Sequence, residues 1–193
     1  MTNKIQEANL AMVVSKTFSG LNVNALRYLL PLWIAPLTGV TFRCVFAAVA
    51  FWIIGYWAKP ETASVKDKIY LFLLGAVGIY GYIFSYLMGL SKTTPVSAAI
   101  FTSMQPIWVF ILSVFFFNEK ATVMKIVGIL VGLGGALLCI STQKSDDLAS
   151  DAFSGNLFCL VSSVIYAVYL ILSNRFLKRT GPYTLMRYTF SGA

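Results

Sequence analysis

Six stretches of roughly 20 mostly apolar residues follow one another along this chain, and a seventh begins near its last residue. About 20 apolar residues in a helix cross the roughly 30 Å hydrocarbon core of a bilayer. Lipid offers no partner for a backbone N–H or C=O, so segments of this length satisfy themselves as helices. The first runs from about Leu10 to Leu30, before Pro31 and Pro36, and the second from Thr38 to Ala58. The third spans Ile69 to Leu90; the fourth opens with Thr94-Pro95, a polar cap and first-turn proline, and reaches Phe117. The fifth covers Met124 to Ser141, and an acidic connector, Gln143 to Ser154, leads to the sixth, Asn156 to Ser173. Another helix starts after Pro182 and meets Ala193 too soon to cross. The expected fold is all-α, a polytopic helical membrane protein.

Charge supports lipid as the solvent. Only 11% of the 193 residues are charged, where a soluble domain carries about a quarter. The net charge of +8 is no sign of a nucleic-acid partner, because its 15 basic residues are scattered between apolar runs and form no single patch. They set orientation instead. With the N-terminus in the cytoplasm, nine basic residues fall on the inner side, from Lys4 through Lys59, Lys120 and Lys125 to Arg179. Three fall outside, Arg27, Lys92 and Lys144. A cytoplasmic N-terminus and an extracytoplasmic connector follow. There is no signal-peptide pattern. Cys44, Cys139 and Cys159 lie in apolar segments without metal-ligand spacing; no metal and no cofactor is expected.

An internal repeat organises the helices. Asn9-Leu10 opens the first and Asn156-Leu157 the sixth; Pro36 precedes the second and Pro182 the seventh. Phe42-Arg43-x-x-Phe46 matches Met186-Arg187-x-x-Phe190, with an offset drifting from 147 to 144. A five-helix unit is odd-numbered, so its second copy enters from the opposite face. Such inverted repeats typify secondary transporters, whose substrate site lies at the repeat interface near the midplane. Residues 9–141 form the first repeat, 142–154 the connector and 155–193 the start of a second, truncated repeat.

Phe42-Arg43, Ser97-Ala98-Ala99 and Gln105-Pro106 together carry a resemblance to a known family. Phe117-Asn118-Glu119-Lys120 and the run from Lys125-Ile126-Val127-Gly128 to Gly134-Gly135 continue it. The chain resembles EamA-type members of the drug/metabolite transporter superfamily, closest over residues 95–141. It departs at Asn118, where the family usually has glycine. The resemblance implies two five-helix repeats and efflux or exchange of amino acids, sugars, nucleotide-linked metabolites or drugs.

The first helix carries the strongest functional signal. Leu10, Val14, Phe18, Leu21, Ala25 and Leu29 share one face, while Lys16, Ser19, Asn22 and Arg27 occupy the other. Lys16 costs roughly 2.5–3.5 kcal/mol near a span's centre, against a gain of about 0.3–0.6 for each Leu, Val or Phe. The helix therefore inserts because its polar face meets other helices or a water-filled cavity. Lys16 either faces a translocation path or snorkels to the headgroups. Arg43 and Arg187, matched by the repeat, either clamp an anionic group from two sides or hold helix ends.

Tyr82 and Tyr86, one turn apart, line a cavity or bond a neighbouring helix. Gln105-Pro106 sits mid-helix, where Pro106 frees the Thr102 carbonyl, making a polar site with a hinge or a static kink. Ser163 and Tyr166 form a further polar patch. Gly128, Gly132 and Gly135 make a smooth stripe suited to helix packing or a homodimer face. No span contains an acid and the chain has no histidine, so proton coupling through these helices lacks its usual groups.

An enzyme is disfavoured for the same reason. Ser15 and Lys16 point about 100° apart on a helix and cannot act as nucleophile and base on each other. A non-transporting scaffold or sensor explains the glycines but not the polar first helix. The expectation is a transporter of a small metabolite, amino acid or organic-acid-like, in the cytoplasmic membrane. Its partners are that solute and the lipid bilayer.

Overall fold

A computed structural model describes residues 2–57, 61–117, 122–141 and 151–193. Its regular structure among the described residues is helical: α1 (Thr2–Leu32), α2 (Pro36–Trp57), α3 (Val65–Lys92), α4 (Pro95–Ser103), α5 (Gln105–Phe117), α6 (Val123–Ser141), α7 (Ala152–Thr180) and α8 (Pro182–Gly192). Four stretches combine the length and apolarity of a membrane span: α2, α3, the α4–α5 run and α7. At about 1.5 Å per residue even the 22 residues of α2 cover the hydrocarbon core. The chain is a multi-pass helical membrane protein.

Helices form at all six stretches expected to span, but among the described residues α1 and α6 fall short of the length and apolarity of the other four, and several ends move. α1 starts eight residues before Leu10, and Pro31 lies in its last turn. The Leu29 carbonyl closes that turn by accepting from Trp33 and Ile34 N–H. α7 includes Ala152 to Ser154, expected in the connector, because the Asp151 side chain caps Ser154 N–H at 3.2 Å. It also runs past Ser173 to Thr180 and stops at Gly181, whose φ of +83° is a conformation glycine reaches without strain. Glu61 accepts from Thr184 N–H at 2.7 Å and Tyr183 N–H at 3.3 Å, supplying negative charge at the N-terminus of α8.

The expectation that all acids lie outside the spans needs correction at Asp67. α3 begins at Val65 rather than Ile69, so Asp67 sits buried in its first turn. Arg179, in the last turn of α7, faces it at 3.4 Å. Both charges complement their helix dipoles, which explains a carboxylate at that depth structurally. Glu119, the rest of the Asn118-to-Lys120 motif and connector residues 142–150 lie outside the described residues.

α3 is the central helix, packed against α1, α2, α7 and α8. Its glycines make this possible. A Cβ on Gly75 would come 1.8 Å from the Thr189 carbonyl oxygen of α8, and one on Gly89 would come 2.8 Å from the Gly155 carbonyl of α7. Small residues at such contacts let helix backbones meet where burial from water gives no drive. One wide π-turn, Gly75–Ile79, interrupts α3 at this approach. Thr93 then donates to Asn156 Oδ1 at 2.6 Å, tying the other end of α3 to α7. Outside, Phe42, Phe46, Val49 and Ile53 form one exposed face of α2. In water such a patch would mark an interface; on a membrane helix it faces lipid.

Candidate functional site

α1 shows why a helix with Lys16 at its centre belongs in this bundle. Leu10, Phe18 and Leu21 point outward and are more than 60% exposed, as the lipid-facing side requires. Lys16, Ser19 and Asn22 line a cavity of about 360 Å³ shared with α2, α3, α4 and the start of α5. Arg43 enters from α2 and donates from Nη2 to Asn22 Oδ1. Tyr82 and Tyr86 form the α3 wall, and Gln105 closes the end beside the kink.

Seven of the ten residues expected at a binding site thus meet in one cavity: Lys16, Ser19, Asn22, Arg43, Tyr82, Tyr86 and Gln105. Tyr166 stands just behind them, its ring centroid 4.6 Å from that of Tyr82. Two others are elsewhere. Ser163 is fully buried on α7 and donates to the Leu160 carbonyl at 2.7 Å, so its hydroxyl is satisfied within its own helix. Arg187 lies between α2 and α8, with its guanidinium 5.0 Å from the centre of the Trp52 ring. Gly55 makes the room; a Cβ there would come 2.1 Å from Arg187 Nε. The two-sided clamp of Arg43 and Arg187 is therefore absent from this arrangement.

The chain bends where expected. Pro106 cannot donate to Thr102, and the helix breaks at Met104, whose N–H turns to the Phe101 carbonyl at 3.2 Å. Thr102 and Ser103, just before the break, line the cavity and were not anticipated as wall residues. Their hydroxyls donate to the Ala98 and Ala99 carbonyls at 2.6 and 2.8 Å. Those bonds leave the hydroxyl oxygens as acceptors. Gln105 Nε2 is shielded from solvent and has no hydrogen-bond partner among the described residues, an arrangement that costs free energy unless a solute or water completes it.

The glycine stripe of α6 has a different setting from that of α3. A Cβ on Gly128 or Gly135 would meet nothing within 4 Å, and one on Gly132 only Ile107 at 3.7 Å. Within the described chain the stripe is a smooth outer surface rather than an internal packing seam. Cys44 and Cys159 are buried free thiols; nothing is described of the Cys139 side chain.

A cavity of this size lined by hydroxyls, amides and two cations, with no carboxylate among the described residues of its wall, suits reversible holding of a small polar solute. A model of the EamA-like transporter family matches residues 6–141. The chain belongs to that family. Among similar family proteins is the uncharacterized transporter YyaM of Bacillus subtilis, 26% identical over 175 residues that cover 89% of this chain and 57% of YyaM. An uncharacterized transporter of Archaeoglobus fulgidus is 26% identical over 91% of this chain and 60% of its own length. The aromatic amino acid exporter YddG of Ancylobacter novellus is 27% identical over 105 residues, 54% of this chain and 37% of YddG. This chain therefore spans 57–60% of the length of the first two. A solved crystal structure shares the fold with a TM-score of 0.57 at 18% identity, covering 92% of this chain and 64% of that one.

Proposed function

We propose that this protein moves a small carboxylate-bearing metabolite across the cytoplasmic membrane by efflux or exchange, and that the cavity between α1 and α5 binds it. An amino acid or organic acid is the leading substrate class. The observation that carries the reading is the convergence of Lys16 and Arg43 on one cavity with no acid among the described residues of its wall. A cation in low dielectric is costly without a counter-charge, and a carboxylate supplies one, accepting in bidentate fashion from the guanidinium. Tyr82 and Tyr86 offer hydroxyl donors and ring faces beside it. YddG is named for export of aromatic amino acids, which makes these the first solutes to test.

Transport, and neither catalysis nor scaffolding, accounts for a helix that accepts the insertion cost of Lys16 in order to wet a cavity. We place the N-terminus in the cytoplasm on the nine-to-three distribution of basic residues.

The deciding experiment compares transport of a panel of radiolabelled metabolites by the intact protein, wild type against Lys16→Gln and Arg43→Gln. Loss confined to carboxylate-bearing solutes supports the proposal. Preference for a lipophilic cation, or normal transport by both variants, overturns it. Labelling single cysteines at Ser64 and Ser145 with an impermeant reagent in intact cells tests orientation: the second should react and the first should not, and the reverse pattern would invert the topology.

A further inference from the structure

Two more hollows follow the cavity towards the end of the bundle where α7 finishes. One of about 470 Å³ is lined by Gln105, Pro106, Val109, Phe110, Ser113 and Leu170. The next, about 490 Å³, shares Val109, Ser113 and Leu170 and adds Asn174 and Lys178. Gln105 belongs to the first hollow and to the central cavity alike. Shared wall residues set the three side by side in a row, with the Pro106 break beside Gln105 where the first two adjoin. Both α4 and α5 pack along α7, and the groove lies between α5 and α7 beyond the break.

The chemistry along the path alternates. Beyond the polar cavity comes an apolar collar of Val109, Phe110 and Leu170, and then a second polar group. Asn174 and Lys178 are four residues apart on α7 and share a face, which looks onto Ser113 across the groove. Ser173 needs nothing further, since it donates to the Leu170 carbonyl at 3.0 Å. Ser113, Asn174 and Lys178 have no side-chain hydrogen bond or ion pair among the described residues, and no carboxylate is among the described residues that line the groove. At the junction Gln105 Nε2 has no hydrogen-bond partner among the described residues. An accessible cation beside an amide and a hydroxyl, in a groove that adjoins a cationic cavity, is a recognition group for the same kind of anion.

We propose that the α5–α7 groove is a second solute site, a vestibule where Lys178, Asn174 and Ser113 receive the carboxylate before it passes Gln105 into the central cavity. This rests on the reading of the central cavity as the transport site. The apolar collar keeps the two sites distinct, so a solute leaves one polar group before the next engages it.

The test uses the intact protein in right-side-out and inverted membrane vesicles, with a radiolabelled amino acid that the wild type transports. The double variant Asn174→Ala with Lys178→Gln should raise KM roughly tenfold from the face bearing Lys178, the loss of one charge-assisted hydrogen bond. KM from the opposite face should not change, whereas Arg43→Gln impairs transport from both. Unchanged KM at both faces in the double variant, or an equal rise at both, overturns the vestibule. If Arg43→Gln still impairs transport in that case, the central site stands without it. A second readout introduces Ser113→Cys after replacing Cys44, Cys139 and Cys159 by alanine. A water-soluble maleimide should label it, and the amino acid should protect it. Absence of labelling, or protection by added anionic phospholipid but not by the amino acid, assigns the groove to packing or to lipid and overturns the proposal.

Discussion

Arg43 and Arg187, paired by the repeat expected from the sequence, lie about two and about one and a half turns inside α2 and α8. Their surroundings differ completely. Arg43 extends into a polar cavity and donates to Asn22. Arg187 lies against the Trp52 ring in the space left by Gly55, between two helices. Trp52 in turn donates to Ser191 Oγ at 2.9 Å and meets Tyr188 edge-on. One arginine therefore presents its charge to whatever enters the cavity, and the other uses its charge and its flat surface to hold α8 on α2. A repeated residue conserves a place along the helix, but its role comes from what the fold sets beside it.

If that contrast holds, perturbations around Arg187 register as stability and those around Arg43 as solute affinity. The largest effect is expected at Gly75, which seats α8 against α3. Gly75→Ala places a methyl on the Thr189 carbonyl, backbone against backbone, and should cost about 3 kcal/mol or more, read as loss of monodisperse protein or a lower unfolding temperature. Next come Gly55→Ala and Arg187→Gln. Each removes the stack on Trp52, worth about 0.5–2 kcal/mol, and leaves solute affinity unchanged. Because the first acts by displacing Arg187, the double variant should be no less stable than the less stable single variant. Additive losses would show that Arg187 does something more.

Asn22→Ala should do the opposite, lowering solute affinity about fivefold, in line with one hydrogen bond of about 1 kcal/mol, with little change in unfolding temperature. The smallest effect belongs to Gly128→Ala, within about 0.5 kcal/mol, since nothing among the described residues outside the helix's own backbone lies within 4 Å of the added methyl. A large effect there would mean that another copy or another segment covers the α6 stripe.

The all-helical, multi-pass class was legible in the sequence because a bilayer turns hydropathy into a length requirement. The polar face of α1 was legible too, since 3.6-residue periodicity separates Lys16, Ser19 and Asn22 from Leu10, Phe18 and Leu21 without any tertiary knowledge. Helix ends were read less well. α7 passes through Asn174 and Arg175 to Thr180, although Gly181-Pro182 marks its stop in the sequence. Thr102 and Ser103 reach the cavity through the break at Met104, and the sequence shows that a break exists without showing which way it turns them. The π-turn of α3 begins at Gly75, where the backbone meets the Thr189 carbonyl, more than a hundred residues away along the chain. Ser163 looked available because its type is polar, but a serine in a helix satisfies itself on the preceding turn.

The most direct test of the cavity as a carboxylate site is a binding comparison on the purified intact protein. Titration calorimetry would measure the affinity for an amino acid and for the amine formed by removing its carboxylate, in wild type and in Arg43→Gln. Wild type should favour the amino acid by roughly tenfold or more, the worth of one charge-assisted pair, and Arg43→Gln should erase that preference while leaving the amine's affinity unchanged. Equal affinities in wild type, or a preference that survives Arg43→Gln, would contradict the account.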